Sequence, residues 1–408
     1  MLDPPGPVEQ TRGHMNRVRL SKALERVVAS GHPWIFRDAL DGRLPAPGEV
    51  VTVLDRKGRF LARGLAEHGP IGVRVFTTVD QPVDRRLIDA RIDDALELRR
   101  RLAPPATDGL RLIHGEGDRL PGVVVDRYAE YAVLRLDGDA ILSWREAIEA
   151  SLRERLPGLG IHTLVHRSGR GELKRVELVF GELPEGPVEI REHAMVLLVD
   201  LVHGQKTGMF LDHRPNRLRT RELVAGMVAA GDAPRVANLF GYTGGFSIAA
   251  GLGGAASVVT VDVAAPALAL AEQAWLRNGL DPAKHHGAPI EVERWLAAQH
   301  GRKKFDLIIA DPPSFASNQA SRDRALAAYK ALHSAALPHV EHGGVYLAAS
   351  CSSRVDRPAF EDTLVRAART AGVELQVLER ASAGVDHPVP LGFPEGEYLA
   401  VVSCRVLR

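Results

Sequence analysis

The sequence predicts an α/β protein built around a mostly parallel sheet in its C-terminal half, with two smaller units before it. Three observations carry this. From about residue 194, short apolar runs alternate with amphipathic helical stretches, the signature of βαβ units. A Gly-rich turn, Phe240-Gly241-Tyr242-Thr243-Gly244-Gly245, follows the first strand of that series. Two later strands end in groups that do chemistry: Asp311-Pro312-Pro313-Ser314-Phe315 after one, and Ala349-Ser350-Cys351-Ser352-Ser353 after the next. In an open α/β sheet the ends of successive strands line one crevice, and ligands bind there.

Length and composition bound the possibilities. At 408 residues the chain exceeds what one core serves, so two or three domains are expected. Its 45% hydrophobic and 25% charged residues are ordinary for a globular protein, and no apolar stretch approaches a membrane span. No membrane partner is therefore expected. Met1-Leu2-Asp3-Pro4-Pro5-Gly6 lacks a basic region followed by an apolar core, and residues 1–16 read as a disordered leader. Only Cys351 and Cys404 are present, which suits a reducing, cytoplasmic location. A net charge of +1 leaves no overall electrostatic footprint for nucleic acid. Local clusters do exist, at Arg12, Arg17, Arg19, Lys22 and Arg26, and at Arg85, Arg86, Arg91, Arg99, Arg100 and Arg101. Each fits either a phosphate-binding face or a solvated helix surface.

The elements follow in order. Residues 17–85 form a β-rich unit with short β-branched runs at 49–55, 60–65 and 71–76, bounded by Gly, Pro or Asp as barrel strands are. A short helix spans Ser21 to Ser30, with Ser21 as its cap. Residues 86–193 form a central α+β unit. It opens with an amphipathic helix over 86–101 and continues with a hairpin of 123–128 and 131–136 around Ala129-Glu130. A helix over 143–155 and strands near 163–167 and 175–180 complete it. Residues 194–408 carry strands at 236–239, 257–262, 306–310, 344–348, 375–380 and 398–406. The clearest helix between them is Pro266–Arg277, with Leu268, Ala271 and Trp275 on one face and Asn278-Gly279 as its stop.

The Gly-rich turn lets backbone approach a ligand closely, yet it does not supply G-x-G-x-x-G, which argues against a nicotinamide oxidoreductase. Asp262 ends the next strand, where a carboxylate can accept both ribose hydroxyls of an adenosine. The thiol of Cys351 and the carboxyl of Asp311 suit attack on a pyrimidine, with sulfur adding to C6 while the acid engages N3. Cys404 sits inside an apolar run and reads as a small buried hydrophobe. Arg354 is a candidate cation for activating Cys351. Lys206, Asp212 and Arg214 precede the first strand; they suit a cofactor cover, an RNA phosphate contact or a structural salt bridge equally. His339-x-x-His342 has no further ligand at useful spacing, so no metal is expected.

Taken together, these motifs resemble class I S-adenosylmethionine-dependent methyltransferases. More narrowly, they resemble the bacterial 23S rRNA cytosine-C5 methyltransferases that carry an N-terminal PUA domain. Also carrying the resemblance are Gly117–Gly122 with Asp126-Arg127-Tyr128, the segment Gly204–Arg214, and the late Asp386-His387-Pro388 and Pro394–Leu399. The resemblance implies a Rossmann-like domain with a mostly parallel seven-stranded sheet over 194–408, after a PUA-like RNA-binding barrel and the central α+β domain. It implies S-adenosylmethionine as cofactor, held by Asn238, Phe240, Gly241, Tyr242 and Gly244, by Asp262 on the ribose, and by Glu291 on the adenine, although Glu291 also suits a plain surface position. Catalysis falls to Cys351 and Asp311, with Asp311 also bordering the cofactor. Pro312, Phe315, Lys206 and Arg214 become candidate substrate contacts. The implied partner is large-subunit rRNA, and a homodimer is left open. Two alternatives stay open: a guanine or adenine methyltransferase using Asp-Pro-Pro with Phe315 stacked on the base, and a non-catalytic RNA-binding ribosome-assembly factor.

Overall fold

The computed structural model describes residues 16–169, 174–204, 207–301, 304–315 and 321–408. The expected leader lies outside these residues except for Asn16, which opens the first strand. Residues Asn16 to Thr77 form a six-stranded sheet whose middle strands are Phe60–Ala66, Val50–Leu54 and Asn16–Leu20. It closes over Val18, Leu20, Ile35, Val51, Val53 and Val73. Gly64 is required there: a Cβ would lie 2.0 Å from the Arg74 carbonyl oxygen of the neighbouring strand. The short helix is shorter than expected, Glu25–Ala29, and Leu24 rather than Ser21 precedes it with no side-chain cap bond.

The helix Arg85–Leu102 is capped by Asp84, whose carboxylate accepts the Leu87 N–H at 3.0 Å. It buries Ile88, Ile92 and Ala95 against a five-stranded sheet in which Val123–Tyr128 pairs with Tyr131–Leu136 as expected. Four of its arginines are already committed. Arg99 is buried on Asp118 at 2.6 Å, Arg85 pairs with Asp89, and Arg100 and Arg101 share Glu97. Four of the six arginines of this cluster are thus held in ion pairs, and Arg91 donates to the Phe76 and Arg119 carbonyls. A two-stranded hairpin, Val188–Glu192 and Met195–Val199, follows, turning through His193 and Ala194 at positive φ. The boundary expected between 193 and 194 falls inside that turn, so the two strands of one hairpin cannot belong to different units. Both strands pack into the core of the large sheet that follows.

That sheet has seven strands, labelled here in chain order: β1 Arg235–Leu239, β2 Ser257–Asp262, β3 His285–Pro289, β4 Phe305–Ala310, β5 Val340–Ser350, β6 Glu374–Ala381 and β7 Ala400–Leu407. Their spatial order is β3-β2-β1-β4-β5-β7-β6. The first five are parallel; β7 is antiparallel to both β5 and β6. The resemblance implied seven strands, of which periodicity placed six. The seventh, β3, is the edge segment His285-His286-Gly287-Ala288-Pro289, whose polar residues, Gly and Pro carry no β signal because only one side of it pairs. Two apolar layers cover the sheet, one holding Trp275, Leu307 and Val345, the other Tyr329, Tyr346 and Phe360. Strand order reverses between β1 and β4, and the carboxyl ends of these two strands mark the place for a ligand.

The central unit and the large sheet are joined by buried charge. Arg214 donates to both carboxylate oxygens of Asp386 at 2.9 and 2.8 Å, and each side chain is 2–3% exposed. The Arg111 N–H donates to the same carboxylate, and Arg99 donates to the Asp386 carbonyl at 2.7 Å. Arg111 in turn grips Asp126, which also accepts the Thr207 hydroxyl. Burial alone would raise the Asp386 pKa, but the His387 hydrogen bond and the Arg214 charge outweigh it and hold it well below the ordinary carboxylate range. This corrects one expectation: Arg214 is locked in a buried ion pair within the unit of the large sheet, on which Arg99 and Arg111 of the central unit also bind, and is not presented to an RNA phosphate. Replacing Arg214 with Met strands a buried carboxylate, and urea titration should show a loss of about 3–5 kcal/mol. Because the native carboxyl has a depressed pKa, the pair's contribution is complete above about pH 4 and fades as pH falls further. The Arg214→Met deficit should therefore shrink in acid.

Candidate active site

β1 ends at Leu239 and the chain turns at once, with Phe240 and Tyr242 in the left-handed region at φ 58° and 48°. Two non-glycine residues held there mark a turn that its surroundings over-determine. Gly241 between them has no room for a side chain: a Cβ would sit 2.4 Å from Thr260 Cγ2. Asp262, at the end of β2, steadies the turn by accepting the Tyr242 N–H on Oδ2 and the Ala264 N–H on Oδ1, both at 2.9 Å. Each oxygen keeps a lone pair for a hydroxyl.

Above this turn lies a cleft of about 260 Å³. Of the residues named from sequence, Asn238, Phe240, Gly241, Tyr242, Asp262, Glu291, Asp311, Pro312 and Cys351 line it. Glu291 stands at the rim, where it begins a short helix and pairs with Arg294 at 2.9 Å. Three of the described candidates do not line it. Gly244 lies behind, starting the helix Gly245–Leu252, where a Cβ would press within 2.6 Å of Ala271 Cβ. Phe315 turns away and packs its ring on Tyr329 at 4.9 Å. Arg214 belongs to the buried pair with Asp386, and Lys206 lies outside the described residues. Arg354 is exposed and does not border the cleft, so it is not the cation beside Cys351.

Cys351 follows the last residue of β5, and Asp311 the last residue of β4, so the register of adjacent strands sets them on one side of the cleft. The Cys351 thiol donates to the Pro312 carbonyl at 3.9 Å. Ser350 donates beneath it to the hydroxyl of Tyr329, whose own pKa is raised by burial and then by the charges of Cys351 and Asp311. Cys404 is different: it is buried on β7, and burial pushes its thiol up to about 11. Among the described residues no group of three or more His, Cys, Asp or Glu is arranged to hold a metal, and no helix is long and apolar enough to cross a membrane.

Sequence reasoning passed over His213 and Arg217. Both line the cleft and both are buried. His213 Nε2 lies 3.3 Å from Asp311 Oδ2, while Arg217 grips Glu192 through two bonds of 2.8 and 2.6 Å. The signal was present: His213 sits between Asp212 and Arg214, in the tight turn Leu211–His213. Nothing in the linear sequence says which side faces Asp311.

S-Adenosylmethionine carries an ammonium group, two ribose hydroxyls and an adenine, and the residues present fit it. Asn238 is 1% exposed; its Nδ2 donates to Ser247 Oγ at 2.9 Å, and its Oδ1 has no partner among the described residues. An orphaned buried acceptor in a cleft wall is costly unless a ligand completes it, and an ammonium does so. Ser247 continues through Thr260 to His285, which burial, with the nearby His286 charge, holds neutral down to a pKa of about 4. Asn238→Leu keeps the volume and removes the acceptor. Calorimetry should then give an S-adenosylmethionine Kd weaker by about tenfold, roughly one hydrogen bond to a charged group.

Comparison with known proteins agrees with this geometry. Residues 159–389 match the model of the S-adenosylmethionine-dependent methyltransferase family, and residues 18–78 match a PUA-like domain. A ribosomal RNA large subunit methyltransferase I from Salmonella arizonae is 37% identical over 409 aligned positions, covering 98% of this chain and 100% of its own length. The protein of the same name from Escherichia coli O139:H28 is 35% identical, covering 96% and 99%. Among solved structures, a candidate methyltransferase from Streptococcus mutans superimposes with a TM-score of 0.83 over 96% of this chain and 100% of its own, at 21% identity, which speaks for the fold alone. With a catalytic-domain model matching more than half its length and near-complete relatives above 30% identity, the chain belongs to the S-adenosylmethionine-dependent methyltransferases, in the ribosomal RNA large subunit methyltransferase I family.

Proposed function

We propose that this protein forms 5-methylcytosine in large-subunit (23S) rRNA, through a covalent bond between Cys351 Sγ and C6 of the target base. The observation that carries the reading is the thiol and the carboxyl at the ends of adjacent strands, in the cleft that also holds Asn238 and Asp262. S-Adenosylmethionine, when bound, supplies a methyl group on a sulfonium. Asn238, Phe240, Gly241, Tyr242, Asp262 and Glu291 hold it, with Gly244 supporting the turn from behind.

C5 of cytosine is a weak nucleophile, and Cys351 changes that. Its thiolate forms the S–C6 bond, the C5–C6 π pair moves to C4–C5, and the C4–N3 π pair moves to N3, which takes a proton from solvent. Asp311 faces that edge of the base: a carboxylate there raises the basicity of N3 and accepts from the N4 amino group. The enriched C5 then takes the methyl group. Loss of the N3 proton and of the C5 proton to solvent expels the thiolate and restores the ring. Pro312 borders the base site, and its carbonyl holds the resting thiol. Lys206, outside the described residues, is kept as a candidate RNA contact, and the PUA-like barrel and the central unit present the RNA.

A guanine or adenine reading needs Phe315 as a stacking platform; its packing against Tyr329 favours cytosine. A non-catalytic assembly factor would have no use for both Cys351 and Asp311. We divide the chain into a PUA-like unit (17–85), a central unit, and a methyltransferase unit that includes the hairpin from Val188. The proposal includes a cytoplasmic location, where the rRNA is, and a homodimer, for which the outer edge of β6 offers unpaired backbone; light scattering tests the latter.

Cys351→Ala should abolish methyl transfer to rRNA while the S-adenosylmethionine Kd stays within about threefold, since the thiol is not part of the cofactor contacts. Full activity in that variant would move the assignment to the amine or guanine class. RNA carrying 5-fluorocytosine should leave a protein–RNA adduct that survives denaturing electrophoresis, because fluorine does not depart as a proton does.

A further inference from the structure

His213 has no role in the mechanism above, yet it is the residue in contact with the catalytic carboxyl. Its side chain is 2% exposed, and its Nε2 stands 3.3 Å from Asp311 Oδ2. The ring edge packs on Phe246 at 5.3 Å, which limits its rotation. The surroundings also decide its tautomer. Asn216 Nδ2 lies 3.2 Å from the Ser382 carbonyl and 3.3 Å from His213 Nδ1. A carbonyl only accepts, so Asn216 must present its NH₂ group to both neighbours; turned over, it would set oxygen against oxygen. His213 Nδ1 is then an acceptor, and the ring proton belongs on Nε2, towards Asp311.

We propose that His213 is a positioning residue of the transfer reaction: as the neutral Nε2–H tautomer it holds Oδ2 of Asp311 and so sets the plane of the carboxyl against the N3–N4 edge of the target cytosine. The inference rests on the cytosine reading. No other side-chain hydrogen bond or ion pair is made by Asp311 among the described residues, and its side chain is 18% exposed, so His213 is the polar group that fixes the carboxyl about Cβ–Cγ. At 3.3 Å the contact is long, as such contacts are before a substrate is seated, and it tightens once the base fixes the far oxygen. The chain Ser382 carbonyl, Asn216 amide, His213 imidazole and Asp311 carboxyl also ties the catalytic acid to the strap that follows β6.

The experiment uses the full-length protein and measures the rate of adduct formation with 5-fluorocytosine RNA, together with kcat and KM on unmodified RNA. His213→Leu should slow adduct formation by about a hundredfold, the cost of a misplaced catalytic group, with the loss in kcat and the S-adenosylmethionine Kd within about twofold. His213→Gln, whose amide N–H reaches towards the same oxygen, should recover all but about fivefold. Equal adduct rates in the wild type and His213→Leu would overturn the proposal and leave the cytosine reading standing. So would a His213→Gln variant as slow as His213→Leu but with normal cofactor affinity. No adduct in the wild type would remove the cytosine reading, and this inference with it.

Discussion

Buried charge at the junction of the central unit with the methyltransferase sheet constrains everything around the cleft. Arg214 and Asp386 are almost fully enclosed, and an enclosed charge without a partner is among the most expensive faults a fold can contain. Their pairing therefore admits one arrangement of three distant stretches: the Arg99–Asp126 region, the turn before Arg214, and the strap after β6. Arg214 begins the helix Arg214–Ala229, and His213 is the residue before it. Holding Arg214 thus holds His213, and through it the environment of Asp311. Tyr398, which donates to Asp212 at 2.7 Å, and Thr207, which donates to Asp126, anchor the same stretch on either side.

The cleft itself follows from sheet topology. Parallel strands deliver their carboxyl ends to one edge, and reversal of strand order between β1 and β4 opens a gap there that no crossover helix covers. Local chemistry then differentiates the strand ends. The β1 end needs close backbone approach and has Gly241, the β2 end needs an acceptor and has Asp262, and the β4 and β5 ends carry the carboxyl and the thiol. The strands are apolar because both faces of the sheet are covered, so polar residues at their ends stand out. The same burial that makes Cys404 inert on β7 is absent at Cys351, which lies just past its strand.

Much of this was legible beforehand. Nine of the thirteen named candidate residues border the cleft, since each was identified by a strand end or a turn, features that survive any packing. The misses share a cause. Arg214, Phe315 and Arg354 were assigned from residue type, but an arginine or a phenylalanine serves a core or a junction as readily as a ligand. Tertiary partners choose between those uses. β3 escaped notice because an edge strand needs neither alternation nor β-branched residues. The hairpin of Val188 to Val199 was cut in two because periodicity does not report which sheet a strand packs against.

Strand periodicity, glycine at the tight turn and the chemistry of the strand-terminal groups were enough to specify a parallel α/β sheet, a cofactor turn and a thiol–carboxyl pair. These are properties of short segments, and short segments impose them through backbone geometry and side-chain chemistry alone. The partner of Asp311, the tautomer of His213, the enclosure of Arg214 and the orphaned oxygen of Asn238 depend on side chains that meet only after folding. Their protonation and hydrogen bonding come from neighbours as many as 172 positions apart, as with Arg214 and Asp386, and no local pattern encodes such a meeting.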